Sequence, residues 1–90
     1  MTPDGTMPEG IGPQTRQSLM NIRNLLETAG TDMEHVLKTT VYLAKEEDFE
    51  EMNSVYCEFF HIPPARALVV VNGWGDPKRL LEIEAIAGIP

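Results

Sequence analysis

Arg66 and Glu82 are the residues of this 90-residue chain whose setting most invites chemistry. Arg66 lies in "PPARALVVV", residues 63–71, where two prolines precede a run of small and branched apolar residues that reads as a buried strand. A guanidinium at the mouth of such a strand is costly to desolvate unless something pairs with it. It is therefore a solvated loop residue, half of a structural ion pair, or a receptor for an anionic ligand. The last role would use the planar donor fork to grip a carboxylate at two points, a geometry that Lys cannot reproduce. Glu82 and Glu84 lie in "LLEIEAIA", residues 80–87, and strand alternation places both on one face with Leu80 and Ile86. Carboxylates rarely enter an apolar pattern without a partner. Spacing alone favours structural pairing or charges at the rim of an oligomer, because isolated Arg and Glu residues on strands are mostly structural. The sharper alternative has a Glu exchanging protons with a water molecule beside a ligand held by Arg66.

Other reactive side chains offer less. Cys57 falls within a helical pattern and reads as a small buried hydrophobe, not a nucleophile. His35 and His61 flank a strand and a helix end without metal-ligand spacing, which favours surface or capping roles. Met20, Met33 and Met52 read as core fillers or surface residues. Trp74, between two glycines in "GWGDPK", is a packing anchor or an interface residue, with the interface preferred. That segment lacks the spacing and the following helix of a phosphate-binding loop.

The elements that would position these residues follow from periodicity. Residues 1–13, "MTPDGTMPEGIGP", read as loop. Leu19, Ile22, Leu26 and Ala29 recur at helical spacing, and Gly30 is a suitable terminator, so a helix is expected from about Gln14 to Ala29. In "VLKTTVYLA", residues 36–44, the period changes to two, with Leu37, Thr39, Val41 and Leu43 on one face. Asp48 is a plausible N-cap for a second helix buried through Phe49, Met52, Val55, Tyr56, Phe59 and Phe60, and Pro63–Pro64 ends it. Strands at 66–72 and 80–87 complete the order, and the turn chemistry of "GWGDPK" predicts that they form a hairpin. The expected architecture is a single α+β domain over residues 1–90, with helices on one face of a sheet. Three strands would leave open edges, to be paired by other subunits or by a missing part of the domain.

Composition narrows the function. Fourteen acidic and seven basic residues give a net charge of −7, without the basic cluster that a nucleic-acid binder presents to phosphates, so no nucleic-acid partner is expected. One cysteine precludes an internal disulfide or a C-x-x-C metal pair. No apolar run approaches the roughly 20 residues of a membrane span, and no signal sequence is evident, so no membrane partner and a cytoplasmic location are expected. A chain this small often gains stability as a homo-oligomer.

Taken in order, "QTRQSLMNIRNLLETAG", "VLKTTVYLAKEEDFEEMNSVYCEFF" and "PPARALVVV…LLEIEAIAG" resemble the reactive-intermediate deaminase family, known as Rid, YjgF or L-PSP endoribonuclease. The resemblance covers residues 14–88. It implies a chorismate-mutase-like α+β fold, a homotrimer with ligand sites in the clefts between subunits, and no metal or organic cofactor. It also implies hydrolysis of enamines and imines such as 2-aminoacrylate to 2-keto acids and ammonia. On this resemblance Arg66 binds the substrate carboxylate, and Glu82 orients or activates the attacking water. Asn53 lies near the cleft, and the backbone at Ala67 and Leu68 helps to hold the ligand. Two features depart from the family pattern. Leu68 stands where the family often has Cys, and the family's opening strand hairpin, which supplies an aromatic residue and a hydroxyl to the neighbouring site, has no counterpart in these 90 residues. The alternative to an enzyme is a non-catalytic module that binds a small carboxylate or forms trimers.

Overall fold

The chain orders itself around one central strand. In the structure, a computed structural model describing residues 7–89, helix α1 (Ile11–Thr28) leads through a 3-10 turn at Met33–His35 to strand β1 (Val36–Leu43). A second 3-10 turn at Glu46–Asp48 opens helix α2 (Phe49–Cys57), followed by strands β2 (Ala65–Val70) and β3 (Leu81–Ala87). The α+β fold with two helices on one face is as the sequence predicts. The first six residues of the expected N-terminal loop lie outside the described residues.

Helix α1 starts three residues before the expected Gln14, so residues 11–13 are helix and not loop. Pro13 is tolerated because N–H groups in a first turn have no intrahelical acceptor in any case. The far end matches expectation. Gly30 adopts φ 92°, and Gly30 and Thr31 N–H donate to the Glu27 and Leu26 carbonyls at 3.2 and 2.9 Å. This closes a Schellman motif that only a residue without Cβ enters cheaply. Asp48 does precede α2, but its side chain makes no cap hydrogen bond, because the 3-10 turn already gives it helical dihedrals.

The sheet order is β2-β1-β3, which overturns the expected hairpin. β2 runs parallel to β1, and β3 runs antiparallel to it on the other side. Parallel neighbours need a crossover, which α2 supplies. Residues 71–80 then straddle the end of β1: Val71 N–H donates to Leu43 O at 2.8 Å and Ala44 N–H to Leu80 O at 2.9 Å. A ten-residue connection is too long for a tight hairpin turn, and in the central place β1 satisfies both of its edges.

The core forms between the helices and one sheet face. Leu19, Val41, Leu43 and Met52 are wholly buried there, with Ile11, Tyr56, Phe60, Leu81 and Ile83 around them. Thr39 Oγ1 and the Tyr56 hydroxyl share a buried hydrogen bond of 2.7 Å that ties α2 to β1. Leu37 does not join this face, as its alternation suggested. The register with β3 shifts between Val36 and Lys38, and that irregularity leaves Leu37 63% exposed. β2 is likewise not the buried strand its composition suggested: Leu68, Val69 and Val70 are 40%, 41% and 51% exposed, because β2 is at the edge of the sheet and Val69 faces away from the helices. Cys57 is exposed, not buried, on the solvent side of α2.

Candidate active site around Arg66 and Glu82

Register decides which face each site residue uses. Arg66 pairs with Thr39 and Leu68 with Val41, so both look toward the helix layer. Glu82 pairs with Tyr42 and Glu84 with Thr40, which places both carboxylates on the outer face, away from the helices. Arg66 and Glu82 therefore stand on opposite faces of one sheet and on strands separated by β1. The sequence-identified pair does not meet within one copy of the chain.

Around Arg66 the helix supplies a cradle. The guanidinium lies 4.7 Å from the centroid of the Tyr56 ring and 5.5 Å from that of Phe49, within the range where a ring quadrupole attracts a cation. Arg66 Nη1 donates to Asn53 Oδ1 at 2.6 Å. Phe49, Asn53 and Tyr56 are successive positions on one side of α2, as spacings of three and four require. The Asn53 predicted near the ligand thus touches Arg66 directly. Among the described residues no carboxylate lies within ion-pair distance of Arg66; the Arg–Glu ion pairs are Arg16–Glu58 and Arg79–Glu82, and Asp32 is hydrogen-bonded to His35. The structural-pair reading of Arg66 is not realised among the described residues of the chain. A guanidinium has five N–H donors, so the Asn53 bond leaves an exposed, oriented fork with donors to spare. Ala67 and Leu68 follow Arg66 along the edge strand.

On the outer face, Glu82 accepts from Arg79 Nη2 at 3.1 Å. Two residues on, Glu84 accepts from the Tyr42 hydroxyl at 3.3 Å. Burial and the Glu84 charge push the Tyr42 phenol above its ordinary value, so it stays neutral and serves as the donor. Trp74 stacks on the Arg79 guanidinium, 5.1 Å from ring centroid to Cζ. Its place in the chain is a packing contact with Arg79.

Sequence reasoning passed over Gln14. This buried side chain accepts from Leu80 N–H at 2.8 Å and donates to the Lys78 and Pro8 carbonyls at 2.6 and 2.9 Å. It fixes the approach to β3 from inside α1. Its place in the helical pattern gave little hint of burial, and two of its three partners, Lys78 and Leu80, are far away in sequence. His35 plays the local role expected of it: its Nδ1 lies 2.7 Å from Asp32 Oδ1, and its carbonyl accepts from Gly88 N–H at 2.8 Å. The hydrogen bond from His35 holds the Asp32 carboxyl below its ordinary value. His61 is exposed. Met52 is core, as one of its two readings required.

A hollow of about 1030 Å³ opens between α1 and the segment after α2, lined by Arg16, Arg23, Glu58, Phe59 and His61 among others. It contains none of the candidate residues. Arg16 there is neutralised by Glu58 at 3.0 Å, and Arg23 lies over Phe59 at 5.6 Å. Geometry around Arg66 carries the chemistry better than volume does.

A family model described as endoribonuclease L-PSP matches residues 1–89. A RutC family protein of Pyrococcus horikoshii is 51% identical over 79 residues, covering 86% of this chain and 61% of that protein. The 2-iminobutanoate/2-iminopropanoate deaminase of Bos taurus is 42% identical over 82 residues, covering 90% of this chain and 59% of the relative. The chain thus spans about three fifths of the length of these curated relatives. Among solved structures, E. coli TdcF with bound serine superposes with a TM-score of 0.86 at 34% identity, covering 92% of this chain and 68% of that one. No helix among the described residues is long and apolar enough to cross a membrane. With the match running across nearly every residue and the fold shared, the chain belongs to the endoribonuclease L-PSP family, which includes the Rid and YjgF proteins.

Proposed function

We propose that the chain is an imine deaminase whose site is shared between copies, with Arg66 from one copy and Glu82 from its neighbour. The observation that carries this is Arg66: an exposed guanidinium, braced by Tyr56, Phe49 and Asn53, with no carboxylate of its own chain within ion-pair distance among the described residues. A small 2-imino acid presents the missing carboxylate, and a bidentate pair would fix the orientation of its imine carbon. The relative named for 2-iminobutanoate and 2-iminopropanoate and the TdcF structure with bound serine both support a ligand of this size.

The chemistry asks little of the protein. The imine carbon is already electrophilic, so holding it beside one water supplies much of the rate by proximity. Glu82 accepts a proton from the water as its oxygen bonds to carbon, the C=N pair moves to nitrogen, and the carboxyl returns that proton to nitrogen. In the resulting carbinolamine Glu82 takes the hydroxyl proton and passes it to the amino nitrogen, the C–N bond breaks as the C=O bond forms, and ammonia and the 2-keto acid depart with Glu82 again a carboxylate. One water is consumed and no electrons are transferred. No step calls for a metal or an organic cofactor.

Sharing between copies follows from the opposed faces. Glu82 and Arg66 are brought together only if the outer face of one sheet meets the Arg66 edge of another. The outer face has the apolar surface for such a contact: Val69 and Ile86 are 41% and 62% exposed. A homotrimer with three such clefts satisfies all copies equally, as closed symmetry requires.

The test is release of ammonia and 2-ketobutanoate from 2-iminobutanoate generated in place, measured against the buffer rate. Arg66→Ala should reduce the enzymatic rate by two orders of magnitude or more, with the oligomer intact. Two outcomes would refute the reading: equal rates for the two proteins, or loss of the oligomer in the variant. A stable 2-keto acid that binds through Arg66 without turnover of the imine would instead identify a carboxylate-binding module.

A further inference from the structure

Glu82 does not stand alone on the outer face. Its Oε1 takes a hydrogen bond from Arg79 Nη2 at 3.1 Å, and three separate features hold that arginine in place. The backbone on both sides of Arg79 is clamped to the buried Gln14, which binds the Lys78 carbonyl at 2.6 Å and the Leu80 N–H at 2.8 Å. The Arg79 N–H itself donates to Asp76 O at 3.1 Å, closing a turn. The guanidinium Cζ lies over Trp74, 5.1 Å from the ring centroid. Trp74 is turned back onto it by Gly73 and Gly75, both at positive φ, 101° and 85°, where other residues are strained. Neither glycine has a neighbouring heavy atom within 4 Å of a Cβ built on it, so their backbone conformation, and not crowding, accounts for them.

A surface ion pair between residues three apart is ordinarily worth little and samples many rotamers. This one has its backbone anchored by the buried Gln14 and its guanidinium over an aromatic ring, so the freedom usually lost on pairing is already restricted. Catalysis gains from such bracing, because a misplacement of about 1 Å in a reacting group can cost on the order of 100-fold in rate. Arg79 contacts one oxygen of Glu82, which leaves Oε2 to receive the proton of a water.

We propose that Arg79, supported by Trp74 and Gln14, is a positioning residue that holds Glu82 in the orientation from which it works on the attacking water. This rests on the role assigned to Glu82 above. The arginine acts through the carboxylate and not on the substrate, so it bears on turnover and not on the capture of substrate, which belongs to Arg66.

The experiment is steady-state 2-ketobutanoate formation from 2-iminobutanoate by Arg79→Ala, Arg79→Lys, Trp74→Ala, Glu82→Gln and the Arg79→Ala/Glu82→Gln double variant, each with its thermal midpoint. Arg79→Ala should lower kcat about 10- to 100-fold with KM within about twofold. Arg79→Lys, which keeps a donor and a charge, should recover part of the loss, and Trp74→Ala should lower kcat severalfold. In the Glu82→Gln background Arg79→Ala should have no further effect, because residues acting as one unit are not additive. Three results would overturn the proposal: an unchanged kcat in Arg79→Ala, a rise in KM alone, or the same fractional loss in both backgrounds. If Glu82→Gln keeps the wild-type rate, the reading of Glu82 has failed and this proposal falls with it. A silent Glu82→Gln variant beside an active Arg79→Ala variant refutes the positioning role alone.

Discussion

At the residue scale the exposed fork of Arg66 makes the sharpest demand on substitution. Lys in its place keeps a positive charge but loses both the planar fork and the stacking on Tyr56. Arg66→Lys should therefore forfeit most of the activity lost in Arg66→Ala, at least 10-fold in kcat/KM. Near-wild-type turnover by the Lys variant would reduce the residue to a point charge. Tyr56 separates binding from stability. Tyr56→Phe retains the ring beneath Arg66 but leaves the buried Thr39 hydroxyl without its 2.7 Å partner, at a cost of about 1–3 kcal/mol. Urea unfolding should show that loss while deamination by the folded protein persists. Part of this was legible in sequence: Arg66 was awkward at the head of an apolar run, whereas Asn53 was named only through the family resemblance. The ring beneath the guanidinium was not legible, because Tyr56 and Phe49 read only as members of a core stripe.

At the scale of elements, local patterns located the strands and helices but not their neighbours. "GWGDPK" has turn composition, and consecutive strands usually pair, yet β1 takes the centre and residues 71–80 cross its end. Turn chemistry fixes where a chain bends, whereas long-range burial decides which strand becomes central. The apolar run of β2 misled for a related reason: its side chains have the right types for a core but lie on the edge strand of the sheet, with Val69 on its outer face. Gln14 shows the reverse case, a polar residue that the fold buries. Gln14→Ala orphans Leu80 N–H and the Lys78 carbonyl, and should destabilise by about 2 kcal/mol. The turn before β1 contributes a pH term. Asp32 binds Glu34 N–H at 3.0 Å and His35 Nδ1 at 2.7 Å, and its carboxyl is held below the ordinary value. Such a group stabilises the fold above its unfolded-state pKa, and that contribution disappears as pH falls through the lower folded-state value. Asp32→Asn should accordingly flatten the loss of stability in acid below about pH 4. An unchanged acid limb would exclude this pair as a contributor.

For the whole molecule, a three-stranded sheet with one covered face is an incomplete surface. Val69 and Ile86 are exposed on the outer face, and Leu68 and Val70 on the open side of β2. Val69→Lys should therefore lower the assembly state in sedimentation and abolish turnover together, while the isolated chain keeps its helices. An assembly indifferent to this charge would place the interface elsewhere. The opposed faces of Arg66 and Glu82 give the central claim its most direct measurement. Arg66→Ala and Glu82→Gln chains, each reduced to a small residual rate alone, are unfolded, mixed in equal amounts and refolded together. If each site takes Arg66 from one copy and Glu82 from its neighbour, random assembly leaves about a quarter of the sites with both native residues. Deamination should then return to about a quarter of the wild-type rate. A mixture that stays at the rate of the single variants, with mixed oligomers present, would contradict a site shared between copies.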